Sequence, residues 1–161
     1  MQFSVSMCVY GKDNPEWFDS AVQSVLNQTV TPSEIVLVVD GPVPDELDEI
    51  IKKYESDEKF KVIRFAENKG HGDARRASVD ACTNELIALM DADDVCLPER
   101  FEKQLAVFDK TDADIVGGDI AEFIDSEDNI QGYRRLPNAD ADIKELMKTK
   151  CAFNQVTVML K

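Results

Sequence analysis

The spacing of apolar residues changes period along the chain in a regular way, and each change marks an expected element. "FSVSMCVY" (3–10) is apolar and β-branched enough for a strand, which residues 11–14 break. Pro15 opens a helix with a stripe of Trp17, Phe18, Ala21, Val22, Val25 and Leu26. "EIVLVVDGP" (34–42) is a continuous apolar run ending in turn residues, the pattern of a strand covered on both faces. Leu47, Ile50, Ile51 and Tyr54 predict the next helix, "FKVIRF" (60–65) a strand and "ENKGHG" (67–72) a loop. Ala74, Ala77, Ala81 and Cys82 line a small-residue helix able to pack close to a sheet, and "ELIALM" (85–90) is a further strand. Phe101, Leu105 and Phe108 predict a helix beginning near Pro98, and "ADIVGGDIAEFI" (113–124) another strand. Residues 125–138 read as irregular, with a hairpin around "SEDNIQG"; Ile143, Leu146 and Met147 give a short helix, and "NQVTVML" (154–160) a last strand. Strands alternate with helices through the first two-thirds. This predicts one α/β domain over residues 1–161 with a mostly parallel central sheet flanked by helices.

Two of these strands run into acids: Val39 into Asp40, and Met90 into Asp91, Asp93 and Asp94. Three carboxylates within four positions repel one another, which raises their affinity for protons unless a cation neutralises them. In a parallel sheet both strand ends lie on one edge, where ligands bind. Asp40, Asp91, Asp93 and Asp94 are therefore expected to share a crevice, and a hard divalent cation such as Mg²⁺ or Mn²⁺ suits such oxygen ligands. The competing reading is that Asp94 or a neighbour caps the helix near Pro98, but one cap needs one acid. The same edge receives "ENKGHGDARR", where Gly70 and Gly72 free the backbone before a helix N-terminus, and Lys69, His71, Arg75 and Arg76 bring positive charge. That is a seat for a diphosphate, or else Arg75 and Arg76 simply face water and His71 is a solvated loop residue.

Composition narrows the classes. The chain has 161 residues, 43% of them hydrophobic, and a formal net charge of −14 from 32 acids and 18 bases. That excess argues against a nucleic-acid partner or an anionic membrane surface. Cys8, Cys82, Cys96 and Cys151 have neither zinc nor CxxC spacing, so reduced thiols and a cytoplasmic setting are expected. The N-terminal residues lack a basic region followed by an apolar one, and no apolar run reaches the length of a transmembrane segment.

The stretch "FSVSMCVYGKDNPEWFDSAVQSVLNQTVTPSEIVLVVDGP" resembles the opening of the family 2 glycosyltransferases, which have the Rossmann-like GT-A fold. "NKGHGDARRASVDACTNELIALMDADDVCLPERF" resembles that family's second block, with its Asp-Ala-Asp-Asp and following Pro and Arg, and "NQVTVML" resembles a third, shorter one. The resemblance implies that Asp40 hydrogen-bonds the donor's nucleobase, usually uracil, beside Cys8 and Tyr10. It implies that Gly70 and Arg75 belong to the donor site, and that Asp91 and Asp93 form the DxD motif. In that motif Asp91 meets the ribose or the metal shell, and Asp93 coordinates Mn²⁺ or Mg²⁺ on the diphosphate. The implied activity is inverting, metal-dependent transfer of a sugar from a nucleotide-diphospho-sugar, such as a UDP-sugar, to a hydroxyl of a saccharide or lipid-linked acceptor. Cell-surface polysaccharide biosynthesis is the implied setting, in the cytoplasm or peripherally at the inner membrane. Departures from the family pattern are a single Asp at Asp40, Pro42 for Ser, Gly11 for Asn and Arg76 for Asn.

The family's general base follows the strand that "NQVTVML" resembles. It is therefore expected beyond Lys161, which would make this chain the donor half of a longer enzyme. Two rivals remain. A sugar nucleotidyltransferase would want a Gly- and Arg-rich loop after the first strand, where this chain has "YGKDNPEW". A nucleotide-sugar-binding module without turnover would need the same donor residues and no base.

Overall fold

The computed structural model describes residues 1–126 and 128–161. Strands β1 (Phe3–Tyr10), β2 (Glu34–Asp40), β3 (Phe60–Arg64) and β4 (Leu86–Met90) alternate with helices α1 (Pro15–Leu26), α2 (Asp45–Glu55) and α3 (His71–Asp80). These four strands pair in parallel in the order β3-β2-β1-β4. The chain thus winds outward from β1 to β3, then returns to the other side of β1 with β4. That reversal opens a crevice at the carboxyl ends of the strands.

Local chemistry explains the helix starts. Asn14 is extended, and its Oδ1 accepts hydrogen bonds from the Glu16 and Trp17 amides at 2.9 and 3.1 Å, with Pro15 in the first turn. Helix α3 begins at His71, inside the segment read from sequence as a loop. Its N-cap, Gly70, has φ +91° and ψ 157°, a conformation that side-chain-bearing residues rarely adopt.

The two faces of the sheet differ. Phe3, Val5, Met7 and Val9 of β1 are fully or almost fully buried and join Ile35, Leu37, Phe18, Val22, Leu47 and Ile51 in one core. Each such side chain contributes roughly 1.5–3 kcal/mol through removal from water. The alternate residues Ser4 and Ser6 of β1 are small, polar and buried. Ser6 Oγ lies 2.6 Å from Ser78 Oγ of α3, and Ser78 Oγ donates to the Val36 carbonyl at 3.2 Å. Small residues on both sides let α3 approach the backbone of the sheet closely.

The last third departs from the strand expected over 113–124. After α4 (Arg100–Lys110), only β5 (Ile115–Val116) belongs to the main sheet. β6 (Ile120–Phe123) forms a separate antiparallel ribbon with β7 (Ile130–Arg134), in agreement with the expected hairpin, whose Glu127 lies outside the described residues. Between β5 and β6 the Gly118 carbonyl accepts hydrogen bonds from Asn154 Nδ2 at 2.9 Å and Thr157 Oγ1 at 3.2 Å. The chain is thereby drawn off the sheet. Short helix α5 (Asp140–Leu146) follows. The strand expected over 154–160 contracts to a 3₁₀ turn (Gln155–Thr157) and β8 (Met159–Leu160), which inserts antiparallel between β4 and β5.

Arg75, expected at a diphosphate, lies instead beneath the sheet edge with 8% of its surface exposed. Nη1 donates to the Ser6 carbonyl at 2.7 Å and to the Met90 carbonyl at 3.2 Å. Nη2 donates to the Met90 carbonyl at 3.1 Å and pairs with Asp91 Oδ1. Arg76, by contrast, is exposed. The phase of α3 against the sheet sends one arginine inward and the next outward. Arg75→Ala is expected to leave two carbonyls and a carboxylate without their cation and to cost about 3–5 kcal/mol in urea unfolding. Arg75→Lys should recover only part, because one ammonium cannot span the fork of acceptors.

Candidate functional site

The carboxyl ends of β2, β1 and β4 and the start of α3 surround a cavity of about 420 Å³. That volume is in the range of small-molecule sites. At the β2 end, Asp40 is 3% exposed. Its Oδ1 accepts a hydrogen bond from the Lys69 amide at 2.7 Å and its Oδ2 one from the Gly70 amide at 3.0 Å, while Asn68 Nδ2 donates to its carbonyl at 3.1 Å. Asp40 therefore shapes the glycine loop as well as lining the cavity. The unusual pair Gly11 and Pro42 is explained here: a Cβ on residue 11 would sit 2.7 Å from the Pro42 carbonyl oxygen.

At the β1 end, Cys8 and Tyr10 form the cavity wall. Burial pushes the Cys8 thiol up to about 11, against the opposing influence of Arg75, so it stays protonated at neutral pH. Asp13, not singled out from sequence, stands beside them. Its Oδ2 accepts the Tyr10 amide at 2.9 Å. Burial, then the charges of Asp93 and Asp91, raises its pKa, with His71 opposing. The signal available in the sequence was its place as the only acid between the first strand and Pro15.

At the β4 end, Asp91 and Asp93 line the cavity while Ala92 between them is buried. Asp94 is absent from the lining, and burial followed by the Asp93 and Asp91 charges raises its pKa. It does not cap α4, whose N-cap is Glu99 with no side-chain hydrogen bond. His71 also lines the cavity, at the first turn of α3.

The segment after the acids is held from two sides. Arg100 Nη2 donates to the Leu89 carbonyl at 2.8 Å, and Nη1 lies 3.1 Å from Cys96 Sγ. From the end of α1, Ser24 Oγ accepts the Cys96 amide at 3.0 Å, Gln28 Nε2 donates to the Leu97 carbonyl at 2.8 Å, and the Thr29 amide donates to the Pro98 carbonyl at 2.9 Å. The residues of "SVLNQT" thus fix the far end of the acidic loop. Of the residues expected at the site, Cys8, Tyr10, Asp40, Gly70, Asp91 and Asp93 meet at one cavity, and Arg75 supports it from below. Among the described residues, no three His, Cys, Asp or Glu side chains are already gathered as a metal-ligand set.

Known proteins place this arrangement. The pattern described as Glycosyl transferase family 2 matches residues 4–159. An uncharacterized glycosyltransferase of Haemophilus influenzae is 36% identical over 98% of this chain, and the amylovoran biosynthesis glycosyltransferase AmsE of Erwinia amylovora is 34% identical over 99%. The chain spans 60% and 59% of the lengths of those two relatives. S. aureus TarS 1-349 in complex with UDP-GlcNAc superposes with a TM-score of 0.62 at 25% identity, covering 71% of this chain and 33% of that one. The mannosyltransferase PcManGT of Pyrobaculum calidifontis, in complex with GDP-Man and Mn²⁺, shares the fold over 99% of this chain and 44% of its own, with a TM-score of 0.67 at 12% identity. These are GT-A structures, and with its pattern matched almost from end to end this chain belongs to glycosyltransferase family 2.

Proposed function

We propose that residues 1–161 form the donor side of an inverting, metal-dependent glycosyltransferase. It takes a sugar from a UDP-sugar and passes it to a hydroxyl of a saccharide or lipid-linked acceptor. The observation that carries this is the meeting of Asp40, at the end of β2, with Asp91 and Asp93, beyond the end of β4, around one nucleotide-sized cavity. UDP-GlcNAc bound to TarS supports a uridine donor, and the name of AmsE supports a role in making an extracellular polysaccharide. Four free cysteines agree with a reducing cytoplasm, and among the described residues no helix is long and apolar enough to cross a membrane.

The residues present fit a divalent cation. Two carboxylates separated by one residue are the usual protein share of a Mg²⁺ or Mn²⁺ site that completes its shell with phosphate oxygens and water. Asp93 would be the principal ligand, because one oxygen of Asp91 is already paired with Arg75. When bound, such an ion supplies positive charge to the departing diphosphate. In the reaction the acceptor oxygen attacks the anomeric carbon from the face opposite the diphosphate. The carbon–oxygen bond to the diphosphate breaks with its electron pair, and the hydroxyl proton passes to a base. No residue lining the cavity is assigned as that base. Tyr10, 41% exposed at the cavity wall, offers a stacking surface for the uracil, and Asp40 an acceptor at its edge.

Titration calorimetry with UDP is expected to show binding that depends on Mn²⁺ and falls at least tenfold with EDTA or in Asp93→Ala. Binding indifferent to both would remove the metal role, and tighter binding of GDP than of UDP would remove the uridine assignment. A second outcome concerns the protein without metal. Asp94 accepts no hydrogen bond among the described residues, and its raised pKa means that the ionised form is penalised in the fold. The penalty is fully present above its folded pKa and disappears as the pH falls toward the ordinary value of 3.8. Asp94→Asn should therefore raise the Tm at pH 7 in thermal melts. That advantage should vanish near pH 4 in the same thermal melts.

A further inference from the structure

We infer that the ribbon β6–β7 docks a lipid-phosphate acceptor: Arg135 takes the phosphate, and Phe123, Ile130 and Tyr133 take the start of the lipid chain. The inference rests on the transfer reaction proposed above, which leaves the acceptor class open, and it concerns a surface outside the donor cavity. β8 pairs antiparallel with both β4 and β5, so β5 runs parallel to β4. The ribbon that follows β5 therefore emerges at the same edge of the sheet as Asp91 and Asp93. The strand order β4-β8-β5 puts its base two strand spacings, roughly 10 Å, beyond the end of β4, on the side away from Asp40. The Arg134 guanidinium is close enough to Asp94 to act on its charge.

The ribbon has two unlike faces. Its pairing sets Ala121 opposite Tyr133 and, past a shift in register, Phe123 opposite Ile130; Ile120 pairs with Arg134 and Glu122 with Gly132. Paired residues point the same way and neighbours along a strand point oppositely, so Ala121, Phe123, Ile130 and Tyr133 share one face. Phe123, Ile130 and Tyr133 are 38%, 44% and 61% exposed, and α5, next in the chain, buries none of its residues. A two-stranded ribbon is marginal alone, so an apolar face of this kind gains from a partner. Charge says which partner. The Arg135 guanidinium stacks over the Tyr133 ring at 5.5 Å, which sets a cation beside the apolar face. Among the described residues its carboxylate partner is Asp119, 4.0 Å away, farther than a charge-assisted hydrogen bond, and the Arg135 side chain is 74% exposed. Exposed pairs of this kind hold weakly and yield to a phosphate, whose oxygens match the guanidinium edge. Arg134, on the opposite face, is instead paired with Glu122. A cation beside an apolar strip suits an amphiphile with an anionic head. A second copy of the chain fits less well, because each copy carries a net charge of −14.

The test is calorimetry with farnesyl phosphate, farnesol, glucose 1-phosphate and, in Mn²⁺, UDP, on the wild-type protein, Arg135→Gln, Tyr133→Ser and Arg134→Gln. Farnesol carries the lipid alone and glucose 1-phosphate the phosphate alone. The wild type is expected to bind farnesyl phosphate about tenfold or more tightly than either, since only that probe meets both the cation and the apolar strip. Arg135→Gln and Tyr133→Ser should each weaken farnesyl phosphate several-fold, whereas Arg134→Gln should leave it unchanged, and UDP binding should be the same in all four proteins. Farnesyl phosphate binding that survives both Arg135→Gln and Tyr133→Ser, or that farnesol or glucose 1-phosphate equals, would overturn the assignment while UDP binding leaves the donor reading intact. A wild-type dimer in sedimentation that Tyr133→Ser dissociates would give the face to a second copy and overturn it as well. Failure of UDP to bind the wild type would overturn the donor reading, and the acceptor assignment with it.

Discussion

The Arg75 guanidinium, buried under the sheet edge, is the contact on which the site's geometry depends. It joins the carbonyls of Ser6 and Met90 and the carboxylate of Asp91, and so ties α3, β1 and β4 together where the strand order reverses. A crevice between parallel strands exists only if the strands on either side of it are held at a fixed separation. The backbone pairing of β1 with β4 reaches Met7 and Met90, and beyond that point Arg75 supplies the connection. Its charge is balanced locally by Asp91, which accounts for how a nearly buried cation is tolerated.

A second set of contacts fixes the acidic loop from above. Ser24, Gln28 and Thr29, at the end of the first helix, reach Cys96, Leu97 and Pro98 through their backbone groups. Arg100 closes the other side onto the Leu89 carbonyl. The two motif blocks that mark the family are therefore one structural unit. One presents the acids, and the other holds the loop so that Asp91 and Asp93 face the cavity. Asp40 does the same for the glycine loop, spending both carboxylate oxygens on the amides of Lys69 and Gly70.

The acids at the strand ends set the electrostatics of the site. Asp13 and Asp94 both carry raised pKa values from burial and from the charges of Asp93 and Asp91. Arg75, buried at this sheet edge, is already paired with Asp91. The protein thus holds a concentration of negative charge where an anionic nucleotide is proposed to sit. Under the proposed function, that repulsion is what a divalent cation on the diphosphate would offset.

The ends of the first four strands and the start of α1 were determined by the sequence itself, because they depend on neighbours within a few residues. The run Leu86–Met90 ends at an acid, Asn14 and Pro15 begin a helix, and β1 occupies the residues expected of it. The gathering of Asp40, Asp91 and Asp93 on one edge was also legible, since parallel strands all present their carboxyl ends there. What the tertiary structure alone decided were matters of phase and of distant contact. Arg75 points under the sheet and Arg76 to water because of how α3 is rotated against β1 and β2, and the Arg75 partner Ser6 lies 69 residues away. The run 113–124 reads as one strand, yet Asn154 and Thr157 take the Gly118 carbonyl and split it between two sheets. Asp13 looks like any turn residue until β1 is seen to occupy the place between the two acid-bearing strands. Local periodicity carries no information about which distant group will supply a hydrogen bond, and at this site those distant groups decide which side chains face the cavity.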